Sequence, residues 1–220
     1  SYDIVRFGSG ISAADITYYR SNKDLILKHS NGTDQITVQN YFVEYANSLI
    51  DHFKINEVQF ADGTRLTAEQ IENAIIYLGT AQNDTLWGYR DRDEIFMAGN
   101  GDDTIIGGLG NDTLNGGAGN DNYYYYLGDG QDTIDQTGGG TDVLWLMDKG
   151  ITQDRIGFSK IGNDLLITID QNSSNTILVK NHFLGGEKAI SKVQPNGGYA
   201  ITAAQIAQLV GGGGTTTPSE

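Results

Sequence analysis

Glycine and aspartate recur together through the middle of the sequence, at a spacing that suits one kind of chemistry. The clearest stretch is Gly107-Gly108-Leu109-Gly110-Asn111-Asp112-Thr113-Leu114-Asn115, followed at once by Gly116-Gly117-Ala118-Gly119-Asn120-Asp121-Asn122-Tyr123-Tyr124. Both units read G-G-x-G-N-D-x-U-x, where U is a large apolar residue. The glycines let backbone carbonyls crowd together, and the aspartate adds an anionic oxygen. A carboxylate surrounded by carbonyls is a ligand set for a hard cation such as calcium, whereas zinc and iron sites draw on nitrogen and sulfur.

Such residues need turns to hold them and short strands to space the turns. The apolar residue two places after the aspartate points inward from a strand, so turn, strand, turn, strand makes a coil. Upstream, Gly79–Trp87, Gly88–Phe96 and Ala98–Ile106 repeat the pattern around Asp84, Asp93 and Asp103, with Met97 as an extra residue. Downstream, Leu127–Asp135 and Thr137–Trp145 carry Asp132 and Asp142, with Tyr125-Tyr126 and Gln136 as spacers. The count is roughly seven units. The inward series reads Leu86, Ile95, Ile105, Leu114 and Tyr123. Alternate tyrosines of Tyr123–Tyr126 are assigned to the core rather than to a sugar platform, and Trp87 and Trp145 to packing at the ends.

These repeats resemble the calcium-binding nonapeptides of the RTX (repeats-in-toxin) family. The resemblance implies a mainly β fold: a short calcium-bound parallel β-roll, flanked by two related α+β capping segments. It also implies that successive turns alternate between two sides, with calcium between turns on one side. Carried over to this sequence, it pairs Asp84 with Asp103, Asp93 with Asp112, Asp103 with Asp121, Asp112 with Asp132, and Asp121 with Asp142. The implied carbonyls are Gly99, Gly101, Gly116 and Ala118 at the Asp103/Asp121 level. They are Gly108, Gly110, Leu127 and Asp129 at the Asp112/Asp132 level, and Gly117, Gly119, Thr137 and Gly139 at the Asp121/Asp142 level. Gly107 and Leu109 belong to the same turns and complete the implied set, for roughly three to five ions.

Composition narrows the function. The formal net charge is −14, with only 14 lysines and arginines, which argues against nucleic acid or an anionic membrane as partner. Asp84, Asp91, Asp93, Glu94, Asp102, Asp103, Asp112, Asp121, Asp129, Asp132, Asp135 and Asp142 face only Arg90 and Arg92. Such a segment repels itself until a cation neutralises it. There is no cysteine, hence neither a disulfide nor a thiolate metal site. His29, His52 and His182 lack metal-ligand spacing, and no catalytic motif is legible, so the chain is not expected to be an enzyme. No stretch reaches membrane-spanning length.

The flanks repeat one another. Gly10-Ile-Ser matches Gly150-Ile-Thr, and Asn22-Lys-Asp-Leu-Ile matches Gly162-Asn-Asp-Leu-Leu. Val38-Gln-Asn-Tyr-Phe42 matches Val179-Lys-Asn-His-Phe183, and Leu66-Thr-Ala-Glu-Gln-Ile71 matches Ile201-Thr-Ala-Ala-Gln-Ile206. In the first flank, strands are expected at 15–19, 24–28, 35–39 and 55–60, and a capped helix from Thr67 through Leu78. Asp3-Ile-Val-Arg-Phe7 reads as the last half-turn of a further roll. The expected division is 1–78, a cap for an upstream roll; 79–145, the calcium roll; 146–210, its C-terminal cap; and 211–220, a flexible tail or linker.

The resemblance implies a calcium-dependent folding switch in a protein secreted by a Gram-negative bacterium, and an extracellular or cell-surface location. The unfolded chain would pass through a type I secretion apparatus, and the isolated segment is expected to be a monomer. A toxin- or adhesin-like parent is favoured over a secreted hydrolase. The alternative is a module that binds a glycan or host-cell receptor, itself or through neighbouring modules. Outward Thr85, Thr104, Thr113 and Thr133 form the nearest thing to a binding ladder, interrupted by Glu94 and Asn122.

Overall fold

The structure, a computed structural model, describes residues 2–42, 55–88 and 91–211. The chain divides into two units, Ser1–Leu78 and Gly79–Glu220.

The first unit begins with β1 (Ile4–Arg6) and a 3-10 turn at Ala13–Asp15. Then come β2 (Ile16–Ser21), β3 (Asp24–His29), β4 (Gln35–Val38), β5 (Glu57–Gln59), β6 (Arg65–Thr67), α1 (Ala68–Glu72) and β7 (Ile75–Leu78). Four of these strands lie in the order β7-β2-β3-β4, and β1-β5-β6 form a small second sheet. Alternation buries Ile16 and Tyr18 on β2 and Leu25 and Leu27 on β3, against Tyr41, Val58, Phe60, Ile71 and Ile75. The β2–β3 hairpin turns at Asn22, whose φ of 53° is left-handed. The Thr67/Gln70 capping box is present, but the helix stops at Glu72 rather than running to Leu78. Ile75–Leu78 pairs in parallel with Tyr18–Ser21 instead, and that pairing buries Ile75, which a single helical turn would not.

The second unit opens as a coil: β8 (Thr85–Trp87), β9 (Ile95–Asn100), β10 (Thr104–Ile106), β11 (Thr113–Ala118), β12 (Asn122–Tyr125), β13 (Gln131–Ile134) and β14 (Val143–Leu146). Successive strands alternate between two parallel sheets, one running β8-β10-β12-β14 and the other β9-β11-β13. Phe96, Ile105, Leu114, Tyr123, Tyr125, Ile134 and Leu144 fill the space between them. Two expectations fail here. Ile95 is 41% exposed while Phe96 is fully buried, because Leu114 faces Phe96 in the ladder. A period of two permits only one of two neighbours inside, and the larger ring takes the place. Trp87 is 52% exposed and does not pack at an end. Tyr125 is buried with Tyr123, as the alternation of the tyrosines predicts, with its hydroxyl donating to the Gly130 carbonyl at 2.8 Å.

The chain after Leu146 does not form a separate unit. β15 (Ile156–Ile161), β16 (Asp164–Ile169) and β17 (Asn172–Val179) make an antiparallel meander, and β17 pairs in parallel with β13. β18 (Lys192–Pro195) pairs in parallel with β14 and antiparallel with β19 (Ile201–Thr202), which leads into α2 (Ala203–Gly211). Both sheets of the coil therefore continue into this segment. Trp145 stacks on Tyr124 at 6.1 Å and donates to Asn122. Phe183 packs against His182 and beneath Lys160. The expected tail, apart from Gly211, lies outside the described residues.

The register makes a direct prediction. In calcium, Phe96→Ala should cost about 3–5 kcal/mol of unfolding free energy, and Ile95→Ala no more than about 0.5 kcal/mol. Denaturant titration of the two variants checks this; a larger loss for Ile95→Ala would restore the register expected from sequence.

Candidate metal centre

Each turn of the coil places its aspartate just before a strand, and the parallel ladder stacks these aspartates in two lines. On one side, the Asp84 amide donates to Asp103 Oδ1 at 2.7 Å, the Asp103 amide to Asp121 Oδ1 at 2.9 Å, and the Asp121 amide to Asp142 Oδ1 at 2.8 Å. On the other, the Glu94 amide donates to Asp112 Oδ1 at 2.8 Å and the Asp112 amide to Asp132 Oδ1 at 3.0 Å. Four of the five expected pairs therefore meet. In the fifth, Glu94 stands where Asp93 was expected: Glu94 is buried and Asp93 exposed. This follows from the same register that buries Phe96. Counting back from Ala98-Gly99, instead of forward from Gly88, would have found it, with Met97 opposite Asn115 and no residue left over.

A second, outer ladder runs beside the first and was not foreseen. Asn83 Oδ1 accepts from the Asp102 amide, and Asp102 Oδ1 from the Asn120 amide. Asp93 Oδ1 accepts from the Asn111 amide, and Asn111 Oδ1 from the Gln131 amide. The residue before each ladder acid thus holds the stack together at the surface. Its signal was the recurrent Asn or Asp at that position.

The inner line leaves one oxygen of each central aspartate unmatched. Asp103, Asp112 and Asp121 are at most 1% exposed, and Oδ2 of each is buried with no protein hydrogen-bond partner. The glycines make room beside these atoms. A Cβ at Gly107 would stand 2.5 Å from Asp112 Oδ2, and one at Gly116 would collide with Asp121 Oδ2. The turns also bring carbonyls together. The Ala118 carbonyl accepts from the Gly101 amide, that of Asp129 from Gly110, and that of Gly139 from Gly119. Gly119, with φ of +134°, sits so close over the Gly101 carbonyl that no side chain would fit. The Gly99 carbonyl faces Gly117 in the same way, and that of Gly117 faces Gly138. Leu109 is exposed, Gly128 has open space beside it, and Thr137 hydrogen-bonds Asn115 at the surface. The Leu127 amide turns to Asp148 at 2.5 Å.

The ends of the stack differ from its middle. Asp84 Oδ2 accepts from the Thr80 amide at 2.5 Å and from its hydroxyl at 2.8 Å. Asp142 Oδ2 accepts from Gln136 Nε2 at 2.8 Å, and Gln136 Oε1 accepts from the Tyr123 hydroxyl. Gln136, read as a spacer, is thus a buried partner of the last aspartate.

Electrostatics follow from burial. Desolvation, reinforced by neighbouring acids, pushes the Asp112 carboxyl up to about 8 and Asp132 up to about 7. Burial likewise raises Asp129 to about 6 and lifts Asp103, Asp121 and Asp142 above the ordinary carboxylate range. These groups resist ionising unless positive charge reaches them. Among the described residues, no three His, Cys, Asp or Glu side chains form a metal-binding group, so an ion here would draw most of its ligands from backbone carbonyls. Hard oxygens, one unmatched carboxylate atom on each of Asp103, Asp112 and Asp121, and space beside it fit calcium.

Comparison with known proteins agrees. Residues 24–70 match the model of the haemolysin-type calcium binding protein related domain. Residues 76–98, 90–123 and 97–134 match that of the RTX calcium-binding nonapeptide repeat. Iron-regulated protein FrpA of Neisseria meningitidis serogroup C is 34% identical over 88 residues, which is 40% of this chain and 8% of that protein, so the chain spans a small part of its relative. The stacked, glycine-lined turns with their buried aspartates lie in the residues that match the RTX calcium-binding nonapeptide repeat, so the coil is built of RTX-type calcium-binding repeats.

Proposed function

We propose that this chain is a calcium-driven folding module of a secreted protein, open where calcium is scarce and closed where it is abundant. The observation that carries this reading is the set of three buried, unmatched Oδ2 atoms on Asp103, Asp112 and Asp121. When bound, calcium supplies the positive charge that lets these carboxylates stay ionised in the core. The protein's part is to hold the donors in place. Asp103, Asp112 and Asp121 provide the anionic oxygens, with Glu94 and Asp132 on the neighbouring levels. The carbonyls of Gly99, Gly101, Gly116, Ala118, Gly108, Gly110, Gly117 and Gly119 provide the rest. Asp84 and Asp142, already engaged by Thr80 and by Gln136, end the line. The module carries no catalytic role in this reading. Export of the open chain from a Gram-negative cell through a type I apparatus suits a segment that cannot compact without calcium. Calcium affinities on the order of 10⁻⁴–10⁻³ M, as in extracellular modules, would keep it open inside and closed outside.

In chelator at neutral pH, residues 79–145 should lack β-signal and be expanded; millimolar calcium should restore compact β-structure and magnesium should not, because magnesium demands octahedral geometry and sheds water reluctantly. Circular dichroism and scattering radius test this, and a compact, β-rich coil in excess chelator would refute the reading.

Asp121→Asn should raise the calcium midpoint by about tenfold or more, since it removes a charge facing an unmatched site. Asp84→Asn should shift it by less than about threefold. Equal shifts in a calcium titration would contradict the assignment of the stack's ends.

Acid should partly replace the metal. The folded carboxyls of Asp112 and Asp132 bind protons more tightly than in the open chain, where a carboxyl titrates near 4. Their contribution to stability is therefore fully present below that value and lost as pH rises through about 7 and about 8. In chelator, lowering the pH from 8 to 4 should raise the β-signal; in calcium, the same change should raise the calcium midpoint as protons compete for the carboxylates. A flat β-signal in chelator across this range counts against the burial of these groups.

A further inference from the structure

The first unit, as far as α1, and the segment after Asp142 are built alike, strand for strand. β2–β3 and β15–β16 are two-residue hairpins closing at Ser21/Asp24 and Ile161/Asp164. Asp24 Oδ1 accepts from the Asn40 amide at 2.8 Å, and Asp164 Oδ1 from the Asn181 amide at 2.7 Å. Both asparagines are left-handed, with φ of 58° and 56°. Leu25 faces Val38 as Leu165 faces Val179, so β4 corresponds to the end of β17. Ile4 faces Glu57 as Val143 faces Lys192, so β1 corresponds to β14 and Asp3 to Asp142. The Asp3 carbonyl accepts from the Asn56 amide and that of Asp142 from the Ser191 amide.

The twins differ in what their outer strands meet. In the second unit, β17 pairs with β13 and β14 with β12, so the segment closes both sheets of the coil. In the first unit, β4 and β1 end their sheets among the described residues. Ile36 of β4 is 40% exposed, while its counterpart Ile177 is 1% exposed. Gln35-Ile36-Thr37-Val38 carries neither charge nor proline and is rich in β-branched residues. Exposed edges are ordinarily guarded by such charges or prolines, because their free amides and carbonyls invite pairing.

We infer that the first unit is itself the closing cap of a second calcium coil, whose last two strands pair in parallel with β4 and β1. Because β14 is the last strand of its own coil, continuous with the chain before it, the occupant is a coil running directly into Ile4 along the same polypeptide. It has the construction of Asn122–Tyr125 and Gln131–Ile134. Asp3 would stand at its last level as Asp142 does. This rests on the reading of the repeats as a calcium-built coil.

The test places residues 79–142 directly before Ile4 of the full chain, in place of residues 1–3. Hydrogen exchange is then compared with the 220-residue chain, both in calcium. In the extended chain, amides of Gln35–Val38 that point away from β3 should slow by at least about tenfold, and more calcium should bind per chain. Equal exchange in the two chains overturns the inference. So does slow exchange already present in the 220-residue chain. If independent of concentration, it would show the edge covered by the chain's own residues; if dependent on concentration, by a second copy. Ile36→Lys should leave the melting temperature of the 220-residue chain unchanged; a lowered value also overturns the inference. Failure of the 220-residue chain to gain β-signal in calcium would instead defeat the proposed function.

Discussion

The coil depends on what meets its buried acids. Glu94, Asp103, Asp112, Asp121, Asp129, Asp132 and Asp142 are all buried in a segment of about fifty residues, with like charges stacked on neighbouring levels. An ionised carboxylate without a partner costs on the order of several kcal/mol to bury. The ladder of backbone amides to Oδ1 meets half of that demand along each line. The remaining oxygen must meet a cation or a proton, and the glycine at the start of the turn leaves room for one. The requirement explains why the turns repeat glycine and why the coil cannot simply be packed more tightly.

The same constraint makes the apolar core thin. Strands of three to six residues between turns leave only one or two inward side chains per strand, such as Ile105 on β10 and Leu114 on β11. Such a slab has no lateral closure, and its last strands present free edges. The segment after Asp142 answers both needs: β17 and β18 continue the two sheets, and Ile167, Ile177, Val179 and Val193 extend the core. A cap that grows out of the coil's own sheets shares its cooperativity, which is why it does not stand as a unit of its own.

The two ends of the aspartate line show how the protein stops the pattern. Where a further level would lie beyond Asp142, the amide of Gln136 takes the carboxylate oxygen, and the Tyr123 hydroxyl holds Gln136 in turn. At the other end, Thr80 closes on Asp84. A neutral donor supplied by the chain costs no counter-ion, so the positive charge is needed only in the interior of the stack.

Much of this was legible in the residues alone. The repeat of glycine and aspartate determined the turns, and its resemblance to RTX nonapeptides implied the two-sided stacking and four of the five aspartate pairs. The duplicated flanks were equally local. The tertiary structure decided what local pattern leaves ambiguous. Asp93 and Glu94 both fit the acidic position, and only the space opposite Leu114, filled by Phe96 rather than Ile95, chose between them. Ile75–Leu78 suits a helix as well as a strand until Tyr18–Ser21 lies beside it. The partners of Asp84 and Asp142, and the place of β4 at the end of its sheet among the described residues, depend on which strands meet across the fold. That is a property of long-range pairing, and no stretch of sequence carries it by itself.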